Sequence, residues 1–205
     1  MVEGWVTGDE ISKWEQRFRA ALINSITGFK PVNLIGTKDA SSGHNLAIMS
    51  SVVHLGASPP LVGLVIRPDS VDRHSLRNIR AHGCYTINHV TESFYSKAHQ
   101  TAARYEDSVS EFDAVGLSPE LIEGFEAPFV AESPVKLGMT LVEEVPIKHN
   151  GTHFIIGRID HVFIDAGLVG EQGDLDLAGA GVIALSGLDR YFSVNFLGKL
   201  PYAKP

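Results

Sequence analysis

One cysteine in 205 residues, Cys84, leaves no partner for an intramolecular disulfide. No run of eighteen apolar residues occurs, so no membrane-spanning helix is expected. Basic charge is scarce: 17 Lys and Arg stand against 24 Asp and Glu, a net charge of −7. A phosphate-backbone partner asks for a basic surplus or stripe, and the chain has neither, so no nucleic-acid role is expected. Internal repeats, low-complexity segments, a Walker loop and a G-x-S-x-G elbow are also missing. The opening MVEGWVTGDE lacks a basic-then-apolar signal pattern, which leads to the expectation of a cytoplasmic protein.

Three further motifs are present but incomplete. GAGVIA, Gly179–Ala184, matches G-x-G-x-x-A, yet the chain ends too soon after it for the β-α-β unit that fingerprint needs. His149 and His153 flank a turn and supply at best half a zinc site, so both are expected in solvent and no metal is expected. Cys84 lies in the strand-like GCYTINHV; a buried inert thiol is expected there, and a catalytic one would need a positive or helix-terminal setting.

Apolar residues make up 44% of the chain, enough for a real core in one domain spanning residues 1–205. Trp14, Phe18, Leu22 and Ile26 recur every fourth residue and predict an amphipathic helix over about 10–27, closed by Gly28. VNLIGTKD, HNLAIMSSVVHLG (interrupted at Gly56), SPPLVGLVIRP and CYTINHV read as strands, with DASSG a turn. HSLRNIRAHG reads as a helix ending at Gly83, and SFYSKAHQTAARY as another. SEFDAVGLSPELIEGFEAP is punctuated by Gly and Pro and is expected to be an exposed excursion. Farther on, residues 135–141 and 156–162 alternate with period two around Asn150-Gly151, a hairpin signal. Helices and strands do not alternate strictly, so a closed antiparallel barrel with helical decoration fits better than a doubly wound sheet.

Two segments carry candidate chemistry. SSGHNLAIMSS, Ser41–Ser51, sets an amide and hydroxyls among apolar side chains. IRPDSVDRHSLRNI, Ile66–Ile79, sets Arg67, Arg73 and His74 around a helix start, with Ser75 as a possible N-cap. A guanidinium and a hydroxyl at a helix N-terminus form a ready phosphate site. Taken together, the inventory suits a flat aromatic ligand with a phosphate tail, such as flavin mononucleotide (FMN).

The chain resembles the flavin reductase-like family of FMN-binding split barrels, flavoredoxin-type proteins included. The resemblance rests on NLAIMSS (45–51), SPPLVGLVI (58–66), RHSLRNI (73–79), CYTINHV (84–90), SEFDAVGL (110–117) and the tail SGLDRYFSVNFLGKLPYAKP (186–205). It implies a mainly β fold: a six-stranded antiparallel Greek-key split barrel with flanking α-helices, usually a homodimer. It further implies FMN as cofactor and NAD(P)H as co-substrate, with a partner oxygenase or another electron acceptor downstream. Carried over by position, Asn45, Leu46 and Ala47 would line the flavin ring edge, and Ser50 and Ser51 would donate to the ring or its ribityl chain. Arg73, His74, Ser75 and Asn78 would hold the phosphate, with Arg67 as an added contact. Relatives often carry Thr at the position of Ser75 and an acid at that of His74. His99, Arg190 and Tyr191 are further residues placed near the cofactor by the resemblance or left as packing. The flavin does the redox chemistry in such proteins, so no catalytic side chain is named. The expected activity is NAD(P)H-dependent flavin reduction. The alternatives are an FMN electron carrier without direct nicotinamide turnover, and a pyridoxal-phosphate or haem-handling relative on a similar barrel.

Overall fold

The computed structural model describes residues 4–40 and 43–204. Its elements begin with helices α1 (Gly8–Lys13) and α2 (Gln16–Ile26) and strands β1 (Lys30–Pro31), β2 (Asn33–Asp39), β3 (Gly43–Met49), β4 (Val52–Ala57) and β5 (Pro60–Ile66). Helix α3 (His74–His82), β6 (Cys84–His89), α4 (Tyr95–Gln100) and α5 (Glu111–Val115) follow. The chain continues through β7 (Pro119–Ile122), β8 (Phe125–Val130), β9 (Val135–Ile147), β10 (Thr152–Ile164), β11 (Ala184–Ser186) and β12 (Arg190–Phe192). Ser41 and Ser42 of the predicted DASSG turn lie outside the described residues.

Seven strands form one sheet in the order β3-β2-β6-β9-β10-β5-β4, every pair antiparallel. The two edge strands, β3 and β4, are consecutive in the chain and separated only by Ser50 and Ser51. A sheet whose first and last strands are two residues apart must curl back on itself, and this makes the split barrel. The sheet has seven strands where six were expected. HNLAIMSSVVHLG breaks at Ser50–Ser51 into two strands, and Gly56 marks only a register shift within β4. The Asn150-Gly151 hairpin joins β9 to β10, with Gly151 at φ +73° as the turn requires.

Period two along the strands feeds two cores. In β2, Leu34 points into a cluster with Leu46, Phe94, Phe112 and Leu185, between the sheet and helices α4 and α5. Its neighbour Ile35 points the other way, into the barrel, with Leu64, Leu76, Tyr85, Ile87 and Met139. This is why β2 is buried along nearly its whole length.

The predicted N-terminal helix is two helices. Trp14 is extended (φ −66°, ψ 152°), and the Glu15 carboxylate accepts from the Phe18 N–H at 2.9 Å to start α2 afresh. The predicted excursion after Ser110 is partly core: Glu111, Phe112 and Leu117 are buried, and β7 and β8 make a hairpin. GAGVIA forms a turn and an isolated bridge, Thr91 to Val182, with no helix after it.

Gly36 sits where β2 passes the Pro128 carbonyl and the Thr86 hydroxyl, and a Cβ would overlap both oxygens. Gly36→Ala should therefore lower unfolding stability by about 2 kcal/mol or more, read as a lower urea midpoint at unchanged m-value.

Candidate functional site

The two segments singled out by sequence lie side by side. Asn45 Nδ2 donates to Ser75 Oγ at 3.2 Å, joining β3 to α3. Ser51 Oγ donates to the Val65 carbonyl at 2.6 Å, joining the β3–β4 link to β5. Thr37, which sequence reasoning missed, is the hub beneath: its Oγ1 accepts from Asn45 Nδ2 at 3.2 Å and from Asn78 Nδ2 at 3.1 Å. Asn45, Thr37, Ser75 and Asn78 are all buried. A threonine in VNLIGTKD carries no local signal of this, because the pairing is made across β2, β3 and α3.

The N-cap of α3 is Arg73, so Ser75 lies within the first turn and does not cap the helix. No side chain caps this end, which leaves the first N–H groups of α3 without intrahelical partners. Arg73 Nε donates to the Pro68 carbonyl at 3.1 Å. A cavity of about 480 Å³ runs along this face, lined by Arg73, Arg77 and Arg80 at one-turn spacing and by Asp69 and Asp72. Arg77 pairs with Asp39, Asp72 and Asp107. Arg80 grips Glu144 through two nitrogens. Arg67 is exposed just past β5. His74 Nε2 lies 2.9 Å from Asp107 Oδ1 and 3.8 Å from Asp72 Oδ2. Asp72, His74 and Asp107 have ligand atoms within 4.8 Å of one another, and Arg77 pairs with both of those carboxylates.

Strand β3 is a sheet edge, and helices α4 and α5 cover it. The Leu46 N–H donates to Glu111 Oε2 at 2.9 Å, and the Ile48 N–H to Thr101 Oγ1 at 3.0 Å. Leu46 is fully buried, while Ala47, Ser50 and Ser51 are half-buried. Burial pushes the Glu111 carboxyl above its ordinary range, against the pull of the Leu46 N–H.

The other flagged residues separate. His99 Nδ1 lies 2.8 Å from Tyr191 Oη, and the Tyr191 ring packs against Tyr95 at 5.4 Å. Tyr95 and Tyr191 border a second recess, lined also by Glu92, Asp189 and Phe192. His153 is buried, contrary to the expectation of a solvent histidine. It sits in the β10 strand with Nδ1 2.7 Å from Glu144 Oε1 and Nε2 3.3 Å from Asp69 Oδ1. The turn ends at Gly151, so His153 already belongs to the strand and turns inward, with Glu144 and the exposed Asp69 beside its ring. Burial raises the Cys84 thiol pKa, the opposite of what a reactive thiolate needs.

The family model for the flavin reductase like domain matches residues 29–177. A protein from Shewanella frigidimarina NCIMB 400, provisionally named a flavin reductase with split barrel domain, is 48% identical. It superposes with a TM-score of 0.93 over 98% of this chain and 100% of its own. Nitrilotriacetate monooxygenase component B from Bacillus cereus is 19% identical, with a TM-score of 0.84 over 98% and 100% of the two chains. Flavoredoxin of Desulfovibrio vulgaris (Miyazaki F) is 24% identical, with a TM-score of 0.73 over 85% and 92%. The chain spans 66% of the length of the curated relatives it matches, at 27% and 24% identity. The chain belongs to the flavin reductase-like family.

The buried Glu111 gives a test of the β3 clamp. Its folded-state pKa lies above its unfolded value, so the folded state holds a proton that the unfolded chain has released. Stability then falls as pH rises through that window and stays reduced above it. Glu111→Gln keeps an acceptor for the Leu46 N–H and removes the charge. Thermal melts should show the variant more stable than the parent at pH 7, with the gain vanishing near pH 4.

Proposed function

We propose that this member of the flavin reductase-like family binds FMN and acts as an oxidoreductase, with NADH or NADPH as electron donor. The observation that supports this most directly is the meeting of segments 45–51 and 67–78 at an uncapped helix start beside Arg73. The residues fit the ligand. Arg67, Arg73 and the first N–H groups of α3 would take the dianionic phosphate, with His74 alongside. Ser50, Ser51 and the Ala47 backbone would offer hydrogen bonds to the ring edge and ribityl chain, next to an apolar strand. Asn45, Leu46, Ser75 and Asn78 would position these groups from behind, through the Thr37 hub and the Glu111 clamp.

Bound flavin would supply the hydride and electron chemistry, as cofactors of this kind do. The chain's own share is to bind and orient the ring and to keep one face open to a reductant. No side-chain acid or base is assigned. Residues 1–205 would act as one flavin-binding unit, paired as a homodimer and serving an oxygenase or another electron acceptor.

Two measurements test the reading. Anaerobic mixing of the FMN-loaded protein with NADH or NADPH should bleach the flavin absorbance; tight FMN binding without bleaching would select an electron carrier instead. In flavin fluorescence titrations Arg73→Ala should weaken FMN binding about 10- to 100-fold, the range for losing a charge-assisted phosphate contact. Arg73→Lys should recover part of it.

A further inference from the structure

The recess beside Tyr191 shares no lining residue with segments 45–51 and 67–78, and its chemistry differs from theirs. Its floor is Ile183 of GAGVIA, the stretch that forms no dinucleotide turn. Ile183 is buried, and its N–H donates to the Val90 carbonyl at 3.2 Å. The aromatic side chains of Tyr95, Tyr191 and Phe192 stand around it. Tyr191 is fixed from two directions: His99 Nδ1 lies 2.8 Å from its hydroxyl, and the Tyr95 ring meets it at 5.4 Å with a 51° tilt. Two exposed carboxylates, Glu92 and Asp189, complete the lining. The Glu92 backbone is held in place by its N–H, which donates to the Gly181 carbonyl at 3.0 Å. Among the described residues neither carboxylate has an ion pair or a hydrogen bond. Burial, and after it the Asp189 charge, push the Tyr191 hydroxyl pKa up, so the recess is negative where the ring stands.

We propose that this recess binds a small organic cation, a primary ammonium carried on an apolar carbon stem. Three features single out that chemistry. The first is the aromatic lining. Ring faces attract a cation through their quadrupole, and this cluster already draws one: Arg190 Cζ lies 5.9 Å from the Phe192 ring centroid. The second is the pair of free carboxylates, which offer charge-assisted acceptors to the N–H groups of an ammonium. The third is the floor, where Ile183 gives a carbon stem an apolar surface to cover. The volume, about 480 Å³, is that of a small-molecule site. The sign of the lining also separates this recess from the candidate flavin site. Glu92 and Asp189 repel a dianionic phosphate, and no arginine lines the recess to offset them. Neither its walls nor its floor depends on bound flavin, so the cation site stands or falls apart from the cofactor reading.

Calorimetric titration of the purified protein with n-pentylamine at pH 7 should give saturable binding, with a dissociation constant of about 1 mM or tighter. The uncharged analogue n-pentanol, with the same stem, should bind about 10-fold more weakly or worse. The variant Glu92→Gln/Asp189→Asn changes two exposed side chains, so it should keep its circular dichroism and lose about 10-fold in affinity for the amine. Tyr95→Leu keeps an apolar wall, removes the ring face and should lose about 3-fold. Saturating FMN should leave the amine's dissociation constant unchanged. Absence of saturation by about 10 mM amine, equal binding of pentanol, unchanged affinity in either variant, or displacement of the amine by FMN overturns the proposal.

Discussion

The two-residue link between β3 and β4 is the constraint on which the structure turns. It makes the first and last strands of a seven-stranded sheet neighbours in the chain, so the sheet has to close on itself at that corner. The same link brings Ser51 onto the Val65 carbonyl and holds the end of β3 beside β5. From β5 the chain runs through Arg67 to Arg73 and into α3, so the start of that helix falls next to the strand carrying Asn45. The candidate phosphate end and the candidate ring edge are neighbours because the barrel closes there.

Closure leaves β3 as an edge, and an edge strand exposes unpaired backbone groups that invite another strand. Glu111 and Thr101 occupy two of those N–H groups. The clamp carries an electrostatic penalty, since a carboxylate buried against Leu46 is disfavoured in its charged form. It protects the strand and also fixes the backbone on either side of Leu46, where Asn45 and Ala47 lie. Behind it, Asn45, Ser75 and Asn78 satisfy one another around Thr37, so polar groups that would be costly if orphaned become a rigid support.

Charge is partitioned along α3 in the same economical way. Arg77 and Arg80 are consumed by carboxylates that hold the helix to its surroundings, Asp39 on β2 and Glu144 on β9. His153 extends the second network by bridging Glu144 and Asp69. Arg73 donates Nε to the Pro68 carbonyl, and Arg67 stands exposed. The helix thus carries arginines committed to structure, while Arg73 at its start and Arg67 before it are the ones left to the candidate anion site.

Much of this was legible in the chain. The strand-like composition of VNLIGTKD, the period of two in FIIGRID, the Asn150-Gly151 turn and the glycine after HSLRNIRAH identify β2, β10, the hairpin and the end of α3, because each depends on local backbone preference and residue type. The amphipathic spacing of Trp14, Phe18, Leu22 and Ile26 was equally plain, although the break at Trp14–Glu15 depended on a capping carboxylate. Sequence could not decide that HNLAIMSSVVHLG is two edges of one barrel, that Ser75 sits inside a helix turn, or that His153 is buried between two acids. It could not single out Thr37, Glu111 or Thr101 either. Each of those depends on groups 8 to 84 residues away in the chain, and contacts across such distances exist only once the sheet has curled. Residue type and local spacing determined the elements and the chemical inventory; the closure of the sheet decided which of those residues meet.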